Sequence, residues 1–188
     1  VGESFTRDLD DLANSWYGTS SREHPGVSRL LQGSNRFLSG KVGLLPKDLN
    51  HRQPYEMTPA QARLVFEHRQ WQKVVGFHTR NVPHRAHEFL QRLALEICDG
   101  LFIQPMLGRK KTGDFTADAI MVGYQSLISE FYPECRVVLG SLSTACRYAG
   151  PREAVFHALV RRNYGGTHMV IGRDHAGVVD YYGKYDSQ

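Results

Sequence analysis

The sequence predicts an α/β fold, with a parallel sheet covered by helices on both faces. Three features point there: four short apolar runs of strand length after residue 58, helical periodicities between them, and unbroken alternation of the two. Strands joined through helices pair in parallel, and such sheets are buried on both sides.

Residues 1–45 are rich in Gly, Ser and Asn and carry one modest helical pattern, Leu9, Leu12, Ala13 and Trp16. Residues 46–57 are polar, include Pro46 and Pro54, and read as a linker. Thr58-Pro59-Ala60-Gln61 is a helix start, because Thr58 can cap, Pro59 suits the first turn and Gln61 can close a capping box. That helix should run to about Arg69 and be followed by a strand over Lys73–Phe77. Ala86, Phe89, Leu90, Leu93 and Ile97 then recur at helical spacing, with Asp99-Gly100 as the stop and Leu101-Phe102-Ile103 as the second strand. Ile120, Tyr124, Leu127, Ile128 and Phe131 mark another helix, and Arg136–Leu139 a third strand. Pro151 opens a helix carrying Ala154, Val155, Ala158 and Leu159, Gly165-Gly166 ends it, and His168–Ile171 is the fourth strand.

Composition narrows the function. The net charge of +4 favours anionic partners. The longest basic run is Arg109-Lys110-Lys111 and no aromatic-interleaved basic stripe exists, so no nucleic-acid partner is expected. No stretch approaches the roughly 20 apolar residues that span a bilayer, so no membrane partner is expected. The N-terminal residues do not resemble a secretory signal, and the lack of an initiator Met suggests a segment of a longer protein. Cys98 and Cys135 lie beside apolar runs and are expected in the core. Together with Cys146 they form no CxxC pair or disulfide framework, which fits a reducing, cytoplasmic setting.

Ligands of open α/β sheets bind at the carboxyl ends of the strands. The first such loop, His78-Thr79-Arg80-Asn81-Val82-Pro83-His84-Arg85-Ala86-His87, leaves a strand and enters a helix. His84 and His87 share one face of the first helical turn, where unpaired amides and the positive dipole end attract anions. Arg80 adds a guanidinium fork suited to tetrahedral oxyanions, and Thr79 and Asn81 add uncharged donors. This is a phosphate site in outline and resembles the HxGH-type signature of nucleotidyltransferases. Zinc would need more than these two ligands, so no metal site is expected.

The second loop is Gly172-Arg173-Asp174-His175-Ala176-Gly177. The two glycines permit close backbone approach to a ligand, Arg173 and His175 supply donors, and the Ala176 amide can bind an oxyanion. Asp174 can orient one of those side chains or help hold a magnesium-bound water. A plain turn with surface charges accounts for this loop equally well. Arg147 and Arg152 can face a pocket or pair with Glu153. The basic loop Leu107–Asp114 can steer polyphosphate or lie solvated.

Three blocks in order, HTRNVPHRAHE, RYAGPREAVFHALVRRNYGGTH and GRDHAGV, resemble the ATP sulfurylase (sulfate adenylyltransferase) family. WYGTSSREHPGV and the later GKV look like the end of that family's PUA-like N-terminal domain. The resemblance implies a PUA-like tail over 1–45 and, over 46–188, a Rossmann-like catalytic domain of the HxGH nucleotidyltransferase type that further sequence would complete. It implies adenylyl transfer from MgATP to sulfate, giving adenylyl sulfate (APS) and pyrophosphate, with Mg²⁺ entering on ATP. It implies Thr79, Arg80, Asn81, His84 and His87 as catalytic residues. ATP would be bound by these and by His78, Gly172, Arg173, Asp174 and His175, and sulfate by His78, Arg80 and the Ala176 backbone. The family signature is usually written with Gln where this chain has His78, which can still donate a hydrogen bond, more strongly when cationic. A homo-oligomer is expected of the full-length protein.

No Ser, Cys or Lys is placed as a covalent nucleophile and sulfate needs no base, so direct in-line attack on the α-phosphorus is expected. The rival readings are another HxGH-type adenylyltransferase, with a phosphorylated acceptor, and a catalytically incomplete nucleotide-binding fragment.

Overall fold

The computed structural model describes residues 2–43, 45, 55–109 and 111–188, so most of the expected linker, 46–54, lies outside the described residues. The chain divides into two compact units.

The unit of Gln53–Cys146 and Phe156–Val170 holds the sheet. Its strands are β3 (Val74–Thr79), β4 (Gly100–Pro105), β5 (Val137–Leu139) and β6 (His168–Val170). They lie in the order β5-β4-β3-β6, every neighbouring pair parallel, with Val75 beside Leu101 and Phe77 beside Ile103. Side chains alternate across the two faces. Val75, Phe77, Leu101, Ile103 and Val137 pack with Ala94 and Cys98 of α4 (Arg85–Ile97) and with Ile120, Met121 and Tyr124 of α5 (Ala117–Phe131). Val74, Phe102 and Val138 pack on the opposite side with Ala62 and Phe66 of α3 (Pro59–His68) and with Tyr164, just after α6 (Gly150–Asn163). The α/β class with a parallel, two-sided sheet is therefore present. The two central runs are buried almost throughout, as a two-sided parallel sheet requires, whereas the edge strand β6 leaves His168 exposed.

Local signals set the helix ends. Thr58 accepts from the Gln61 amide at 3.2 Å while the Thr58 amide donates to Gln61 Oε1 at 2.8 Å, a complete capping box. Thr116 caps α5 by accepting from the Ala119 amide. Gly100 does not stop α4, as its place after the helix suggested. It lies in β4, where a side chain would run into the Trp71 ring. The Asp99 carboxylate instead accepts from the Gln72 and Lys73 amides at 2.8 and 2.7 Å, tying the start of β4 to that of β3.

Two helices turn an unexpected face inward. On α4, Phe89, Leu93 and Ile97 are 67, 54 and 66% exposed, while Gln91 and Ala94 are buried. On α6, Val155 and Leu159 point outward, while Glu153, His157 and Arg161, spaced by four, are each 2% exposed or less. Cys98 is buried, but Cys135 is exposed, because it falls in the 3-10 turn Glu134–Arg136 before β5 rather than in the strand.

The other unit comprises Val1–Arg52, Arg147–Val155 and Ile171–Gln188, so α6 contributes to both. The expected N-terminal helix is α1 (Leu9–Tyr17), capped by Asp8, which accepts from the Asp10 and Asp11 amides. The sequence did not announce β1 (Glu3–Thr6), β2 (Arg36–Ser39) or α2 (Pro25–Leu31). The two strands form an antiparallel ladder that pairs Phe5 with Phe37, too short for a readable alternation. Buried His24 caps α2, its Nδ1 accepting from the Gly26 and Val27 amides and its Nε2 donating to the Tyr148 carbonyl at 2.9 Å. Among the described residues no helix is long and apolar enough to cross a membrane.

Candidate functional site

Chain order and strand order diverge at β3. From β3 the chain steps to β4 and then β5, and returns to place β6 on the other side of β3. Open α/β sheets bind ligands outside the carboxyl ends of the strands at such a switch point. The segment leaving β3 there is the one carrying the expected catalytic residues.

His78 and Thr79 are the last two residues of β3. Thr79 is buried. Its Oγ1 donates to the Asn81 carbonyl at 3.2 Å and accepts from the Asn81 amide at 3.0 Å, which fixes the turn through half-buried Arg80. Pro83 packs against Gly123 of α5, where an added Cβ would lie 2.7 Å from Pro83 Cδ. A larger residue at 123 would push the loop off the sheet.

His84 is the N-cap of α4 and forms no side-chain cap bond. Its ring stacks on His87 with centroids 3.8 Å apart. His87 rests edge-on against Phe77 and its Nδ1 lies 3.2 Å from the Tyr124 hydroxyl. Burial raises the Tyr124 pKa, so the phenol stays protonated beside the ring. Burial, and then the charge of His84, bring His87 down to about 4. At neutral pH His87 is an uncharged ring, while His84 is exposed to solvent.

Behind the loop lies a polar group that sequence reasoning missed. Arg161 Nη2 donates to His78 Nδ1 at 2.7 Å and to the Gln104 carbonyl at 3.1 Å, and the His78 and His157 rings stack at 3.7 Å. Gly76 admits the Arg161 stem, since a Cβ there would lie 2.8 Å from Arg161 Cγ. Burial pulls Arg161 down to about 9, which leaves it charged at pH 7. The signal was present in the sequence, since His157 and Arg161 stand four apart on α6.

The residues of the second loop, Gly172 to Gly177, belong to the other unit. Arg173 and Asp174 are exposed and His175 is buried. An added Cβ on Gly172 would meet nothing within 4 Å, whereas one on Gly177 would strike the Asp174 carboxylate. The second glycine thus makes room for this chain's own Asp174. Ala176 holds φ 59°, a left-handed conformation rare for a residue with a side chain, and its carbonyl accepts from the Gly150 amide at 3.1 Å. Such conformations concentrate at functional sites.

Two of the remaining candidate segments have local partners. Glu153 accepts from the Arg147 and Ala149 amides at 2.9 and 3.1 Å, so its carboxylate ties the segment ahead of α6 to the helix. In the basic loop Lys111 pairs with Asp114 at 3.3 Å, and Lys110 lies outside the described residues.

The ATP-sulfurylase family model matches residues 53–188. A sulfate adenylyltransferase from Synechococcus sp. (strain JA-3-3Ab) is 51% identical over 99% of this chain and 48% of its own length. Another, from Symbiobacterium thermophilum, is 48% identical over 100% of this chain and 48% of its own length. The chain thus spans about half the length of the curated relatives it matches. Among solved structures, the hexameric APS kinase from Thiobacillus denitrificans aligns with TM-score 0.54 and 26% identity over 69% of this chain and 26% of its own. With a family model across its strands and loops and relatives alike along its whole length, the chain belongs to the ATP-sulfurylase family.

Proposed function

We propose that this chain supplies much of the active site of a sulfate adenylyltransferase, which moves the adenylyl group of MgATP to sulfate and releases APS and pyrophosphate. The observation that carries the reading is the Thr79–His87 turn, anchored at the switch point of the sheet, with two stacked imidazoles at the start of α4.

Two anions must be brought together, and no covalent step is required. Arg80 binds sulfate and draws it toward the α-phosphate, and Thr79 and Asn81 fix the turn that presents it. His84 and His87 donate to phosphate oxygens whose charge grows as pyrophosphate departs. His87 does so as a neutral ring. Gly172, Arg173, Asp174 and His175 bind ATP, and the Ala176 amide meets sulfate. Magnesium arrives on ATP and lowers the repulsion between the reactants. The catalytic region, residues 46–188, is Rossmann-like and of the HxGH type. Residues 1–45 close a PUA-like domain, and the full-length protein is a cytoplasmic homo-oligomer.

The test is exchange of labelled pyrophosphate into ATP, with and without sulfate, on this chain and on a chain of the relatives' full length. Sulfate-dependent exchange in the longer chain is expected. Exchange that ignores sulfate and follows a phosphorylated acceptor would move the protein to another adenylyltransferase class.

A further inference from the structure

His78 meets the guanidinium of Arg161 at 2.7 Å through Nδ1. A guanidinium has donors only, so Nδ1 is the acceptor and any proton on a neutral ring sits on Nε2. Protonating Nδ1 as well would break this bond and set an imidazolium against a buried guanidinium. The Arg161 group cannot turn aside, because the same Nη2 donates to the Gln104 carbonyl, Nη1 reaches the His157 carbonyl at 3.5 Å, and the stem runs under Gly76. The His157 ring, stacked at 3.7 Å, limits rotation of His78 about its own axis.

We propose that Arg161 is a positioning residue that holds His78 as a neutral imidazole protonated on Nε2, so that His78 meets its anion as a directed hydrogen-bond donor and not as a second cation. The identity of the anion as sulfate rests on the adenylyl-transfer reading, while the tautomer does not. Glutamine offers the same pair of functions, an acceptor oxygen toward Arg161 and a donor amide on the other side. His78 is therefore a chemical equivalent of the Gln with which the family signature is usually written.

Long-range proton–nitrogen NMR on ¹⁵N-histidine-labelled protein reads the tautomer directly. At pH 7 the His78 Nδ1 signal is expected to be that of an unprotonated acceptor and Nε2 that of an N–H. A ring protonated on Nδ1, or on both nitrogens, overturns the proposal without any variant. In Arg161→Gln both tautomers are expected to appear, and a tautomer still locked on Nε2 removes Arg161 as the cause. If Arg161→Gln does not fold, the decision passes to sulfate affinity of the intact protein. His78→Gln is expected to change it by no more than about threefold and His78→Leu to weaken it by about tenfold, the worth of one hydrogen bond. Equal losses in both overturn the proposal. Run beside the pyrophosphate exchange assay, these measurements separate the two ideas: a locked Nε2 tautomer without sulfate-dependent exchange sinks the function alone, and the reverse result sinks the positioning role alone.

Discussion

His87 is uncharged at neutral pH because its surroundings disfavour the cation. Phe77 packs against it edge-on, His84 stacks on the ring, and the Tyr124 hydroxyl lies 3.2 Å from Nδ1. With its pKa held at about 4, the ring is expected to stay uncharged down to about pH 5, a titration that NMR follows residue by residue. His84→Ala and His87→Ala should each slow pyrophosphate exchange by about 100- to 1,000-fold, the scale of losing one oxyanion donor. Arg80→Ala should remove most of the activity, because no neutral side chain replaces a fork that binds a dianion. Exchange near the native rate in all three variants would refute the assignment.

At the scale of the element, α4 and α6 show how a helix can be foreseen while its buried face is not. Leu93 and Ala94 are adjacent, yet the larger apolar residue points to solvent and the smaller to the sheet. Ala94 is 7% exposed and packs in the core cluster with Val75, Phe77 and Leu101. Leu93→Ala should therefore alter stability by no more than about 0.5 kcal/mol. Ala94→Leu should cost about 1–3 kcal/mol through overpacking. Urea unfolding of the two variants checks the pair. On α6 two members of the buried polar stripe have polar partners, Glu153 accepting from the Arg147 and Ala149 amides and Arg161 reaching β4 and His78. Glu153→Ala strands two amides and should cost about 1–3 kcal/mol.

Acid should act on the whole molecule through its buried imidazoles. Burial lowers the pKa of His24 from its ordinary value of 6.5, and that of His87 to about 4. The unfolded chain takes up these protons first as pH falls. The stability that depends on the neutral rings is thus complete above about 6.5 and declines below it, toward 4 for His87. A melting temperature that falls from pH 7 to pH 5, and falls less in His24→Gln, is the expected record. A flat profile would contradict it. The strand–helix alternation, the Thr58 cap and the loops at the strand ends were all legible in the sequence, because each depends on neighbours within a few positions. The short ladder of β1 and β2, the turn that exposes Cys135, the inward faces of α4 and α6 and the Arg161–His78 bond were decided by tertiary structure alone. They depend on which residues the sheet brings together across tens of positions, where a buried polar group is satisfied by a partner that local spacing does not reveal.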